Sequence, residues 1–213
     1  MIRHVILIGL EGLQVSKTII IATKNVGKAK EFKKLFAKQG YTIKTLLDFP
    51  NLKEVEETGI TFEENARLKA ETIATETGKI VISDDSGLCV DTLMGEPGVR
   101  SARYAGNHDD NLNNARLLAV LGELPDESRK AHFNCTMIAA APGKESLVAV
   151  GICDGEIVSV PRGTNGFGYD PLFEVDGTNK TFGEMSQEEK NKYSHRAKAT
   201  KALFNHFDDW LSR

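Results

Sequence analysis

The sequence predicts a mixed α/β fold. Strand-like and helix-like segments alternate through the first half, a meander of strand-like stretches follows from about residue 131, and the C-terminus reads as a helix. Alternation calls for parallel strands joined by helical crossovers, and a meander calls for antiparallel ones, so one sheet of both kinds accommodates the chain. With 213 residues, 40% hydrophobic and 27% charged, the chain can bury a large core without a metal or disulfide staple. No repeat, low-complexity tract or Pro/Gly/Ser linker divides it, so residues 17–213 read as a single domain.

Residues 1–16 read as an N-terminal extension, because the apolar run Val5 to Leu10 precedes a stronger one at Thr18 to Ala22. The earlier run is too short to span a bilayer and has no small-residue cleavage site after it, so neither a membrane span nor a signal peptide is expected. The β-branched Ile19 to Ile21 end at Thr23-Lys24-Asn25, as a buried strand does on entering a loop. From Gly27 to Gln39, Ala29, Phe32, Leu35 and Phe36 share one helical face, and Gly40 stops the helix. Tyr41 to Leu46 reads as a second strand.

A further helix starts at the capping box Thr61-Phe-Glu-Glu64, whose two end residues can satisfy each other's exposed amides, and runs to Gly78. The strand Lys79 to Ser83 then delivers Asp84-Asp85-Ser86-Gly87 at its end. Asp109 to Leu121 reads as a helix closed by Gly122. Strands are expected at Ala131–Ala141 and Glu145–Cys153, turning at Pro142-Gly143, and a third at Glu156–Val160 after Asp154-Gly155. The last helix begins at Ser194 and points Ala197, Leu203, Phe204, Phe207 and Leu211 inward.

Lys and Arg number 27 against 30 Asp and Glu, a formal net charge of −3. A nucleic-acid binder usually carries a basic excess, so no nucleic-acid partner and no membrane partner are expected. Cys89, Cys135 and Cys153 form no C-x-x-C pair and are odd in number, so the sequence gives neither a disulfide framework nor a zinc knuckle. They read as buried hydrophobes in a reducing, cytoplasmic setting.

Four segments could carry chemistry. Thr23 to Lys28 joins a strand to a helix, where unpaired amides and the positive end of the helix dipole suit phosphate. It lacks the Walker A spacing, and read alone it is an ordinary N-capped turn. The pairs Glu56-Glu57 and Asp84-Asp85 place like charges side by side, which a hard cation relieves, although paired acids also occur on solvated turns. Two glycines flank Phe167 and leave an aromatic face on a pliant backbone; a tight turn around a core Phe looks the same. Lys190 and Arg196, near His195, carry donors and no acceptor, so they could read carbonyl oxygens on a ligand, or simply meet water.

The combination is more specific than its parts. Thr23-x-Asn-x-x-Lys28, Asp84-Asp-Ser-Gly-Leu-x-Val-Asp91, Pro97-Gly-Val-x-Ser-Ala-Arg-Tyr-Ala-Gly106, Gly166-Phe-Gly-Tyr-Asp-Pro171 and Ser194-His-Arg196 occur in this order. Together they resemble the inosine triphosphate pyrophosphatase (Ham1-like) family, from about residue 17 to the C-terminus. The resemblance implies an elongated, mixed-sheet, two-lobed ITPase/Maf-like fold with the active site in the cleft between the lobes, and a homodimer. It also implies Mg²⁺-dependent hydrolysis of ITP, dITP or XTP to the monophosphate and pyrophosphate, which keeps deaminated purines out of DNA and RNA.

Matching the motifs residue by residue, the resemblance assigns Thr23, Lys24, Asn25, Val26, Gly27 and Lys28 to the triphosphate loop and Lys69 to a further phosphate contact. Glu57 and Asp85 match the metal carboxylates, with Asp85 also the proton acceptor, and Ser86 matches a substrate contact. Phe167, Gly168, Tyr169, Asp170, Lys190, His195 and Arg196 match the base-binding side. Arg100 stands where the family pattern usually has Tyr, and residues 1–16 have no counterpart in the typical member. A module that only senses nucleotides would need the loop and the base pocket but not the Glu57/Asp85 pair, so the acids favour an enzyme. A Maf-like pyrophosphatase is the nearer rival, and the Ser-His-Arg and Gly-Phe-Gly-Tyr-Asp motifs argue against it.

Overall fold

The computed structural model describes residues 18–36, 40–53, 55–106, 108–122 and 129–213. The expected extension and the end of the first helix lie outside the described residues. Strand β1 (Thr18–Ile21) leads into helix α1 (Val26–Phe36) and strand β2 (Thr42–Thr45). Helix α2 (Phe62–Thr77), the long strand β3 (Ile80–Val90), a 3₁₀ segment at Gly98–Arg103 and helix α3 (Asp110–Leu121) follow. Strands β4 (Lys130–Ala140), β5 (Leu147–Ile157) and β6 (Phe173–Val175) precede helices α4 (Gln187–Tyr193) and α5 (His195–Ser212).

The strands form one sheet in the order β2-β1-β3-β4-β5-β6. β1 runs parallel to β2 and β3, and the remaining pairs are antiparallel. Alternation along β3 sorts the core into two layers. Ile82 packs with Phe32 and Phe36 of α1 and with Leu203, Phe207 and Trp210 of α5. Val81 faces Ala66, Ala70 and Ile73 of α2 on the other side. A third cluster, with Leu88, Val90, Leu117, Leu121, Phe173 and Phe182, makes a second lobe around the far halves of β3, β4 and β5.

The helix termini are where side-chain chemistry puts them. Thr61 accepts from the Glu64 amide and Glu64 returns the favour to Thr61, while Gly78 closes α2 in the left-handed conformation at φ 67°. Asp109 caps α3 and Ser194 caps α5. At its far end α5 is held by the β4–β5 turn, where Lys144 Nζ donates to the Trp210 and Leu211 carbonyls at 3.3 and 3.0 Å.

Two expectations are corrected. The strand that delivers the acid pair does not end at Ser83; Asp84, Asp85, Ser86 and Gly87 lie inside the eleven-residue β3. β1 pairs with β3 only over Ile80–Ile82, whereas β4 pairs with it from Val81 to Val90. The ladder therefore continues on one side while the other opens to the cleft. Asp154-Gly155 is likewise no turn but the interior of β5, held straight because Gly155 pairs with Ala131 on one side and Val175 on the other. Strand β6 and helix α4 carry too few residues for periodicity to show.

All three cysteines are buried and free. Among the described residues no helix is long and apolar enough to cross a membrane.

Candidate active site

Between the lobes lies a cleft of about 670 Å³. Of the residues assigned from sequence, Thr23, Lys24, Asn25, Lys28, Glu57, Lys69, Asp85, Ser86, Phe167, Gly168, Tyr169, Asp170, Lys190, His195 and Arg196 line it. Val26 and Gly27 do not. Val26 is exposed, and Gly27 lies beneath the Phe167 ring, so close that a Cβ there would sit 2.7 Å from Cδ1.

At one end the β1–α1 loop is tied by its own side chains. Thr23 Oγ1 accepts from the Asn25 amide at 3.1 Å, and Asn25 Oδ1 accepts from the Lys28 amide at 3.0 Å. Lys28 Nζ reaches Asp84 Oδ2 at 2.9 Å. A helix N-terminus with a lysine on its first turn is thus presented to the cleft, as anion binding requires.

Because successive side chains of a strand face opposite ways, Asp84 and Asp85 enter different surroundings. Asp84 accepts from Ser86 Oγ at 2.9 Å and lies 3.4 Å from Arg196 Nη2. Burial opposes its ionisation, but Lys28, Arg196 and Lys69 outweigh it and hold the carboxyl well below the usual range. Asp85 accepts from Asn65 Nδ2 at 3.1 Å, and Asn65 Oδ1 in turn accepts from the Gly59 amide at 2.8 Å. Burial pushes Asp85 up to about 6; Lys69 and Lys28 pull it down and Glu57 adds to the rise. Lys69 Nζ donates to Glu57 Oε1 at 2.6 Å and to the Asp84 carbonyl at 2.8 Å. Arg103, from the second lobe, lies 3.8 Å from Glu57 Oε2.

The donor set of Glu57 and Asp85 fits a small hard cation. Their carboxylates repel one another, and no group of three or more His, Cys, Asp or Glu side chains able to hold a metal occurs among the described residues. Mg²⁺ suits such a place, since it commonly takes one or two carboxylates and completes its shell with water and phosphate oxygens.

The other end is aromatic and charged. Phe167 lies against the Lys190 ammonium and the Arg196 guanidinium, at 5.2 and 5.8 Å from its ring centre. His195 stacks on Phe133 at 4.6 Å and 12° between planes. Burial, with Arg196 and Lys190 nearby, holds the imidazole well below its ordinary pKa, and it is neutral. Lys190 Nζ donates to Glu31 Oε1 at 2.9 Å and to Asp170 Oδ2 at 2.7 Å. Arg196 donates to Glu31 Oε2 through Nη1 and to Ser86 Oγ at 2.8 Å through Nη2. The donors expected to read a carbonyl are therefore largely engaged by protein carboxylates. The buried atoms here without a partner are Arg196 Nε and His195 Nδ1.

Sequence reasoning missed Glu31, Asn65 and Arg103. Glu31 is only 3% exposed, yet it stands among Lys28, Lys30, Lys33 and Lys34, where an acid reads as a surface partner one turn away. Asn65 sits next to the capping box, a position whose helical role hides its aim at Asp85. Arg103 lay inside a quoted motif without a role. Arg100 is exposed and pairs with Glu96 at 2.7 Å, outside the cleft.

The family model described as the Ham1 family matches residues 19–206. The chain is 56% identical over 198 residues to the dITP/XTP pyrophosphatase of Lactococcus lactis, covering 92% of this chain and 98% of that one. It is 51% identical over 197 residues to the enzyme of the same name from Lactiplantibacillus plantarum, with the same coverage. Among solved structures, the Ham1 protein of Staphylococcus aureus superposes with a TM-score of 0.80 at 43% identity, covering 90% of this chain and 98% of that one.

Proposed function

The chain belongs to the Ham1 family, and on that premise we propose that it hydrolyses the deaminated purine nucleoside triphosphates ITP, dITP and XTP to monophosphate and pyrophosphate. The relatives at 56% and 51% identity are named for dITP and XTP, and the match to each covers 98% of its length. The observation that carries the reading is Asp85: a buried carboxyl, pushed up to about 6, facing the cleft between Lys28, Lys69 and Glu57. A module that merely holds nucleotide needs no such group.

In this reading the Thr23–Lys28 loop and Lys69 bind the phosphates, and Phe167 offers its ring to the base. Asp85 takes a proton from the water that attacks the α-phosphorus, and Lys28 steadies charge on the departing pyrophosphate. Glu57 and Asp85 would hold Mg²⁺, which when bound supplies charge neutralisation at the phosphate oxygens. Asn65 fixes the Asp85 carboxylate, and Asp84, kept anionic by its cations, anchors Lys28.

A homodimer is the expected assembly. Val148, Val150 and Ile152 form an apolar stripe on the open face of β5, 37, 47 and 42% exposed, and a second copy is the occupant that the stripe suits. A cytoplasmic setting suits three buried free thiols and a substrate drawn from the nucleotide pool.

The deciding experiment is a panel of ITP, XTP, GTP and ATP with Mg²⁺, with products separated by chromatography. Pyrophosphate and monophosphate from ITP and XTP are expected. Stepwise release of orthophosphate through a diphosphate would overturn the reading.

A further inference from the structure

Phe167 is followed by Gly168, whose left-handed conformation no neighbouring side chain packs against. Gly168 has φ +62°, and an added Cβ there would find no atom within 4 Å. Two hydrogen bonds from α3 hold it instead. The Gly168 amide donates to Asp110 Oδ2 at 2.7 Å, and Asn114 Nδ2 donates to the Gly168 carbonyl at 3.0 Å. Asp110 and Asn114 are four residues apart, so they present one face of the helix to both sides of Gly168. Pinning the peptide on each side fixes the φ and ψ of Gly168, and the first bond also fixes the ψ of Phe167.

We propose that Asp110 and Asn114 are positioning residues for the nucleobase: together they clamp Gly168 so that the Phe167 ring is preset at the base end of the cleft. The loop is also tied to the first lobe. The Phe167 amide donates to Asp170 Oδ2 at 2.9 Å, and the same oxygen accepts from Lys190 Nζ. The ring itself covers Gly27. Helix α3 belongs to the second lobe, so the clamp links the separation of the lobes to the place of the aromatic wall. Presetting the wall lowers the ordering cost of binding, so its loss falls on affinity rather than on the chemical step. The inference rests on the nucleotide reading above.

The test uses the full chain with Asp110→Ala, Asn114→Ala and Asp110→Asn, the last of which keeps an acceptor oxygen. Hydrogen–deuterium exchange of the peptide spanning residues 164–170 reads the clamp without turnover, and a rate about tenfold faster is expected in the two alanine variants. Their KM for ITP is expected to rise about tenfold with kcat within about twofold, while inhibition by inorganic pyrophosphate stays unchanged. Asp110→Asn is expected to restore most of both. Wild-type exchange and KM in the alanine variants overturn the proposal, as does a fall in kcat accompanied by weaker pyrophosphate inhibition, which marks general damage. Absence of ITP turnover in the wild type fells the functional reading instead; the exchange arm still decides whether the clamp exists.

Discussion

Asp84 and Asp85 are neighbours in sequence with opposite electrostatics, because a strand turns one towards Lys28 and Arg196 and the other towards Asn65 and Glu57. Only a base that is ionised at working pH and still wants a proton can help the attacking water, and Asp85 at about 6 meets that condition. Its sign is clear: protonation removes the base, so kcat/KM is expected to fall about tenfold per pH unit on the acid side, and raising Mg²⁺, which competes with the proton for the carboxylate, is expected to move that fall to lower pH. Asp85→Asn is expected to lower kcat by ~10²–10⁴ at saturating Mg²⁺ while the fold survives. Near wild-type turnover in that variant would remove Asp85 from the mechanism. Glu31 carries the opposite burden. Burial opposes its charge, yet Arg196 and Lys190 hold its carboxyl below 4.5, so the stability it contributes is present above that pH and is lost as pH falls through the lower folded value. Glu31→Gln leaves two buried cations short of charge and is expected to cost about 3–5 kcal/mol in urea denaturation. The variant should also lose less stability than the wild type between neutral pH and acid.

At the scale of elements, the start of α2 and the middle of β3 show what is local and what is not. The Thr61–Glu64 box is a short-range device, so Thr61→Ala is expected to cost about 1 kcal/mol and to leave activity unchanged, checked by thermal melting beside an ITP assay. Gly87 is a long-range one. A Cβ added there would lie 2.2 Å from the Gly98 carbonyl oxygen and 2.6 Å from Ser101 Oγ, so the 3₁₀ segment packs directly on bare β3 backbone. Ser101 Oγ also accepts from the Leu88 amide at 2.9 Å, which fixes the contact. Gly87→Ala must push the Gly98–Arg103 segment away, with a cost of about 1–3 kcal/mol from overpacking. Because Arg103 and Glu57 face each other across the cleft, activity is expected to drop as well. A variant with wild-type stability and turnover would show that the segment gives way freely.

For the whole molecule, the sheet is the frame that joins two cores. β3, β4 and β5 run through both lobes, so the cleft is set by strands continuous from one to the other. The open face of β5 is where a second copy is expected. Replacing Val150 and Ile152 together by lysine should convert a dimer into a monomer in light scattering, since each protomer would then bring charge to an apolar contact. An unchanged mass would place the contact elsewhere or the assembly at one chain.

What the sequence determined by itself was whatever depends on near neighbours or on side-chain type. The mixed α/β class, the boundaries of α2, α3 and α5 and the buried β1 were legible because caps and periodicity act within a few residues, and many cleft-lining residues were reached through the motifs that carry the family resemblance. Tertiary structure decided the rest. β3 runs on through Asp84 and Asp85 only because β4 pairs with it to Val90, and Asp154-Gly155 is strand because β4 pairs with both residues and β6 with Gly155. Glu31 reads as a surface acid until α4 and α5 bring Lys190 and Arg196 to it from more than 150 residues away. Those two donors read as free to meet a base until Glu31, Asp170 and Asp84 are seen to hold them. Burial and the pairing of distant charges are properties of the packed chain, and no local pattern encodes which carboxylate meets which cation.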